Sequence, residues 1–188
     1  MPTPSVPHVR LRVAAESDIP FLLSLRRLVM GPHRTLAGIP ETAEQARAKV
    51  LKDFESAYIV LHGNKPIGLF KANREASPWS VSQIQLVPEW QGRGIGSKLV
   101  SQFVASARTQ GEAVELSVLK VNPALRMYQR LGFSIVSEGV HGVTLRTEAN
   151  SSVNATANGT APDPRSTVAH HVPRRPGTLP SSARYLKR

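Results

Sequence analysis

The chain has 188 residues, 40% of them hydrophobic, enough to bury one ordinary core and to favour one domain over two. It contains no cysteine, which excludes disulfide frameworks, thiolate metal sites and cysteine nucleophiles together. The formal charge of +11 divides into 18 Lys and Arg against 11 Asp and Glu over residues 1–146, and 6 against 2 over residues 147–188; with no dense basic block it attracts phosphates in general, and a nucleic-acid partner is permitted without being demanded.

From the N-terminus, residues 1–9 lack the charged start, apolar stretch and small-residue cleavage site of a secretory signal, and no run of about 18 apolar residues follows anywhere. These absences point to a cytoplasmic protein without membrane contact. Residues 9–13 alternate apolar positions with arginines, as a strand does. Ser17 is placed to cap a helix whose Ile19, Phe21, Leu22, Leu25, Leu28 and Val29 form one face, and Met30-Gly31-Pro32 reads as its end. Thr42 and Gln45 fit a capping box at the start of a second helix with Ala46, Val50 and Phe54 inward. Strands over 57–61 and 67–72 are joined by a Gly-Asn turn as an antiparallel pair, and another strand runs over 80–87. After a glycine-rich loop, Ile95, Leu99, Val100, Phe103, Val104 and Ala107 line one side of a long helix closed by Gly111. A strand over 114–119, a short helix opened by Asn122-Pro123, and a hairpin of 134–136 with 143–146 complete an α/β domain with a mixed sheet.

The composition breaks at Arg146. Residues 147–188 are rich in Ser, Thr, Asn, Ala and Pro, with Tyr185 their only aromatic, and cannot bury enough apolar surface to offset the entropy of ordering. Residues 1–146 therefore read as the domain and 147–188 as a disordered basic tail. The sequon matches at Asn150, Asn154 and Asn158 read as chance occurrences in an Asn/Thr-rich segment that follows no signal peptide.

Gly92, Gly94 and Gly96 alternate between a strand and a helix N-terminus, where small residues let backbone N–H groups approach an anion and the helix end adds about half a positive charge. The dinucleotide spacing is not met: the third glycine comes one residue early, and Glu112 precedes the next strand instead of ending it. A nucleoside-triphosphate loop fails as well, since Lys98 follows Ser97 and precedes Leu99. By itself the loop is either a phosphate site or a tight turn without a ligand.

The wider stretch Val87-Pro88-Glu89-Trp90-Gln91-Gly92-Arg93-Gly94-Ile95-Gly96 carries Gln, two residues, Gly, one residue, Gly. Further on stands Asn122-Pro123-Ala124-Leu125-Arg126-Met127-Tyr128-Gln129-Arg130-Leu131-Gly132-Phe133. Together the two resemble the signature elements of the GNAT superfamily of acetyltransferases, and the order of elements extends the resemblance over residues 9–146. The resemblance implies an α/β (α+β) fold: a mixed, mostly antiparallel sheet of six to seven strands flanked by four helices, splayed between the strands ending near Val87 and Leu119 to admit coenzyme A. It also implies acetyl-CoA as acyl donor, no metal, and direct transfer to the primary amine of a small molecule or protein in a ternary complex.

Residue roles follow from the same resemblance. The backbone amides of Gln91, Gly92, Arg93, Gly94, Ile95 and Gly96 hold the pyrophosphate, the Leu86 main chain pairs with the pantetheine arm, and the amide at the strand end at Val87 stabilises the oxyanion. The Arg93 guanidinium either meets a phosphate or is solvated. Asn122 either hydrogen-bonds pantetheine or caps its helix. Tyr128 is the expected proton donor to the departing thiolate, because a phenol stays protonated at neutral pH; the alternative is a packing ring. Many relatives carry a carboxylate base on the strand before the loop, where this chain has Gln83 and Gln85, which cannot take a proton. Those two amides share a strand face and order a water chain or line the acceptor pocket. Glu75, Glu115, His33 and His141 are further candidates for the base. The missing carboxylate also fits a second class, a coenzyme A-binding sensor or interaction module without turnover. The acceptor's identity and the oligomeric state, a homodimer among the options, are left open.

Overall fold

Seven strands form one sheet in the order β1-β2-β3-β4-β5-β7-β6. They are β1 Arg10–Val13, β2 Ala57–His62, β3 Lys65–Asn73, β4 Trp79–Leu86, β5 Val114–Leu119, β6 Ser134–Glu138 and β7 Gly142–Arg146. The structure, a computed structural model, describes residues 5–149. All neighbouring strands are antiparallel except β4 and β5, which run parallel. This is the mixed, mostly antiparallel sheet that the sequence leads one to expect.

The β4–β5 pair determines where a ligand can enter. Its register covers only Trp79–Val81 against Val114–Leu116. Beyond that point β4 stays on β3 as far as Leu86, opposite Gly68, and β5 stays on β7 as far as Leu119, opposite Gly142. Each strand follows its outer neighbour, and the sheet opens between residues 82–86 and 117–119.

Four helices cover the faces: α1 Ile19–Leu36, α2 Ala43–Leu51, α3 Ile95–Thr109 and α4 Ala124–Arg130. Covering both faces requires continuous apolar runs in the central strands instead of alternation. In β2, Ile59 joins Leu22, Leu25, Val50 and Leu69 beside α1 and α2, while Val60 joins Phe70, Val100 and Phe103 beside α3. The six residues the helical period places inward on α3 are all buried.

Two helix ends differ from the sequence reading. The entry to α1 is set by Asp18, whose carboxylate accepts the Ala15 N–H at 2.8 Å and pairs with Arg12, and Ser17 makes no cap. The helix does not end at Met30-Gly31-Pro32 but continues to Leu36 with Pro32 inside it. An interior proline removes one backbone bond, to the carbonyl four residues back. Here that residue is Leu28, which lies on the exposed side of the helix. The capping box at α2 forms as expected, Gln45 N–H to Thr42 Oγ1 at 3.2 Å and Thr42 N–H to Gln45 Oε1 at 3.0 Å. The far end of α2 is held by a buried lysine: Lys71 Nζ on β3 donates to the carbonyls of Val50 at 2.8 Å and Lys52 at 2.7 Å.

Thr147, one residue past the composition break, is buried and exchanges two hydrogen bonds with Val114, each 2.9 Å. The remaining tail positions from 150 onward, including the three sequons, lie outside the described residues. Among the described residues no helix is long and apolar enough to cross a membrane.

Candidate active site

Two cavities meet where β4 and β5 part. One, of about 580 Å³, is walled by the glycine loop, the first turn of α3 and one side of α4. The other, of about 490 Å³, is walled by α1, α2, the middle of β4, β5 and the β6–β7 hairpin. Met30, Ile84, Gln85, Asn122 and Tyr128 line both. Those five residues, the partition, stand where the chambers adjoin.

The larger chamber carries the geometry of an anion site. The first bond inside α3 is Lys98 N–H to Gly94 O at 2.9 Å, which leaves the N–H groups of Ile95, Gly96 and Ser97 unused by the helix. No side chain caps that end, because the cap residue is Gly94 with φ +77°. Gly92 also has positive φ, +69°, so both positions favour glycine on backbone grounds. Gly96 does not; a Cβ there would make an ordinary 3.5 Å contact with Ile84 Cδ1, and its merit is the open approach to the backbone. Gln91, Gly92, Gly94, Ile95 and Gly96 all line the chamber. Arg93 does not: it is exposed, with its guanidinium 5.0 Å above the Trp90 ring, and Trp90 lies 4.4 Å from the ring of His62.

Leu86 lines the same chamber. The Val87 N–H donates to Ile67 O on β3 at 2.9 Å, and backbone groups alternate along a strand, so the polar groups of Leu86 face the split. Its carbonyl is already bonded by Gln91 Nε2 at 2.8 Å, which leaves the Leu86 N–H directed at the opening. Val87 itself is committed elsewhere, since its carbonyl accepts the Trp90 N–H at 2.9 Å, and it lines neither chamber. Gly68 makes this corner possible: a Cβ there would come within 2.4 Å of the Gln85 carbonyl oxygen.

Asn122 caps its helix, with Oδ1 accepting the Ala124 N–H at 2.9 Å, and at the same time stands in the partition. Tyr128 is 6% exposed, with its ring edge-on to Phe133 at 5.9 Å. Burial pushes its phenol up to about 12, so it keeps its proton.

Gln83 and Gln85 line the smaller chamber. The Gln83 amide is oriented by its Nε2, which donates to the Lys49 carbonyl at 2.9 Å at the end of α2. The Oε1 atoms of both glutamines are buried and have no hydrogen-bond partner. Three cations that the sequence reading did not single out also line this chamber: Arg26, Arg34 and Lys49. Arg26 is 5% exposed and holds Glu41 through two bonds of 2.7 Å, and the same carboxylate lies 3.5 Å from Arg34 Nε. The bonds from Arg26 hold the Glu41 carboxyl below its usual range, so it stays charged. Arg34 enters only because α1 continues past Pro32, which is why the pattern of a helix stop concealed it. Of the candidate bases, His33 lines the larger chamber, whereas Glu75, Glu115 and His141 line neither, and Glu115 pairs with Arg146. Among the described residues the one carboxylate in the wall of the smaller chamber is Glu138, paired with Lys120 at 3.2 Å.

Residues 53–135 match a family model described as an acetyltransferase (GNAT) domain. An acetyltransferase from Thermus thermophilus superposes with a TM-score of 0.60 at 24% identity, over 75% of this chain and 97% of its own. The PaiA N-acetyltransferase from Thermoplasma acidophilum, solved in complex with coenzyme A, superposes with a TM-score of 0.59 at 15% identity, over 75% and 99%. The ribosomal-protein-S18-alanine N-acetyltransferase from Escherichia coli does so with a TM-score of 0.59 at 12% identity, over 79% and 99%. At these identities the likeness is one of fold. No curated protein matches the sequence.

Proposed function

We propose that this chain, residues 53–135 of which match a GNAT acetyltransferase domain model, is an acetyl-CoA-dependent N-acetyltransferase that moves the acetyl group directly to a primary amine while both substrates are bound. The observation that supports this most is the partition: two chambers of substrate size share a wall that contains a buried tyrosine. The larger chamber fits coenzyme A by its own features, an uncapped helix N-terminus for the pyrophosphate and an unpaired strand edge, with the Leu86 N–H, for the pantetheine arm. When bound there, the acetyl thioester supplies an activated acyl carbon.

The chain's own residues then do three things. The N–H groups of Ile95, Gly96 and Ser97, with the loop amides before them, bind and orient the phosphates. Gln83 Oε1 and Gln85 Oε1 accept hydrogen bonds from the acceptor's N–H groups and aim its nitrogen lone pair at the partition. As the C–N bond forms and the C–S bond breaks, Tyr128 delivers its hydroxyl proton to the departing sulfur, and the proton shed by the acylated nitrogen restores the phenol. No glutamine can act as base, so the acceptor binds as the free amine, already without its ammonium proton.

The absence of a carboxylate on the chamber face of β4 favours a second reading, a coenzyme A-binding module without turnover. Free-thiol release from acetyl-CoA with a broad amine panel, run beside calorimetric coenzyme A binding, separates the two. Saturable thiol release that depends on an amine is the expected result. Tight coenzyme A binding with no amine-dependent release would establish the module instead, and no coenzyme A binding would remove both.

A further inference from the structure

The smaller chamber carries a charge pattern that acetyl transfer by itself does not require. Its wall holds Arg26 and Arg34 from α1 and Lys49 from α2, against Glu138 on the β6–β7 side. Glu41 accounts for Arg26, since both of its oxygens accept from that guanidinium at 2.7 Å. The contact to Arg34 is 3.5 Å, an ion pair in which the buried Nε makes no hydrogen bond, because Arg26 already takes both oxygens of the shared carboxylate. Lys49 has no carboxylate within ion-pair distance among the described residues. Glu138 is taken by Lys120. A buried guanidinium N–H without a hydrogen bond is costly, and an anionic oxygen matches it best.

The opposite polarity lies in the same wall. The buried, unpartnered Oε1 atoms of Gln83 and Gln85 are acceptors only, and Gln85 is 3% exposed. Lys49 links the two sets: its carbonyl fixes the Gln83 amide while its side chain helps line the chamber. One wall therefore presents acceptors for an amine and donors with net positive charge for something else. We propose that the acceptor is a small amine that also bears an anionic group, a carboxylate or phosphate, with the amine on Gln83 and Gln85 and the anion on Arg34 and Lys49. The chamber of about 490 Å³ suits a small molecule of this kind. A polycationic acceptor is repelled by the same charges. The inference rests on the reading of this cavity as the acceptor chamber.

The test pairs acceptors that differ only in the anion: the common L-amino acids against their carboxamides, and 2-aminoethyl phosphate against ethanolamine, with spermidine as the cationic probe. Thiol release from acetyl-CoA gives kcat/KM, and calorimetry with coenzyme A already bound gives the acceptor's Kd without turnover. The best anionic acceptor should exceed its neutral partner by about 10-fold or more, and Arg34→Gln and Lys49→Gln should each reduce that ratio about 5-fold or more while the neutral partner is unchanged. Lys49 is exposed, so its variant keeps the fold even if the Arg34 variant does not. The amino-acid arm and the phosphate arm tell which anion is recognised. Neutral or cationic amines that equal the anionic ones, or an anionic preference intact in both variants, would overturn the proposal and leave the transferase standing. Anionic amines that bind, weaken in the variants and never turn over would uphold this site and remove the transferase. Binding by no anionic amine of either arm overturns it.

Discussion

Tyr128 is buried and lines both chambers, and the contributions of its ring and its hydroxyl separate under mutation. Tyr128→Phe keeps the ring against Phe133 and removes only the proton, so turnover should fall roughly 10- to 1000-fold while coenzyme A affinity stays within a few-fold. An acyl donor with a more acidic leaving thiol should lessen the defect; an equal defect with both donors would reassign Tyr128 to packing. Burial has the opposite effect on Lys71, taking its ammonium from 10.5 down to about 8 against the pull of Asp53 and Glu55. Between those values the unfolded chain binds a proton that the folded protein does not, so stability should rise as pH increases from about 8 to about 10.5, by at most about 3 kcal/mol. Urea denaturation across that range checks it, and Lys71→Met should flatten the rise. Tyr128 was legible in the sequence because a motif fixes its place. Lys71, Arg34 and the Arg26–Glu41 pair were not, because their roles depend on partners 15 or more residues away or on a helix whose length the sequence understates.

At the level of elements, the period of apolar residues was a faithful guide wherever it ran uninterrupted, as along α3, whose inward face was read residue by residue. It failed where local punctuation and tertiary packing disagreed: Gly31-Pro32 reads as a stop, yet Leu22 and Leu25 anchor α1 firmly enough that one lost backbone bond on the exposed side is tolerated. The loop before α3 allows a sharper test than its motif suggests. Substituting Gly92 or Gly94 adds left-handed strain to any effect on binding, and at Gly94 a Cβ would also come within 3.1 Å of Val6 Cγ2. Gly96→Glu avoids both, since that position has ordinary φ and space for a Cβ, and it sets a carboxylate at the unused N–H groups of α3. Thermal stabilisation by acetyl-CoA should disappear in this variant while the melting transition itself persists. Undiminished stabilisation would place coenzyme A elsewhere.

At the scale of the molecule, the composition break at Arg146 marks the change in chemistry, and among the described residues the last buried side chain lies one residue further. Thr147 closes the start of β5 through Val114, at the end where β4 and β5 still pair, so a chain ending at Arg146 removes two hydrogen bonds from the closed part of the sheet. A chain ending at Ala149 should match the full-length protein in melting temperature to within about 2 °C and in coenzyme A affinity, whereas one ending at Arg146 should melt several degrees lower. Equal melting of the two would make Thr147 dispensable; lost affinity in the longer one would give residues 150–188 a part in binding. Composition places the break at Arg146 but does not show that Thr147 is tied to Val114, because that bond depends on a partner strand.

The partition has a consequence for inhibitor design. Five residues line both chambers, so ligands in the two would meet at that junction. A coenzyme A thioether carrying an acidic amine through a short bridge turns the second encounter into an intramolecular one. Such a conjugate should bind about 100-fold or more tighter than either half, provided the bridge clears the Tyr128 hydroxyl, and a bridge one or two atoms too short should gain nothing.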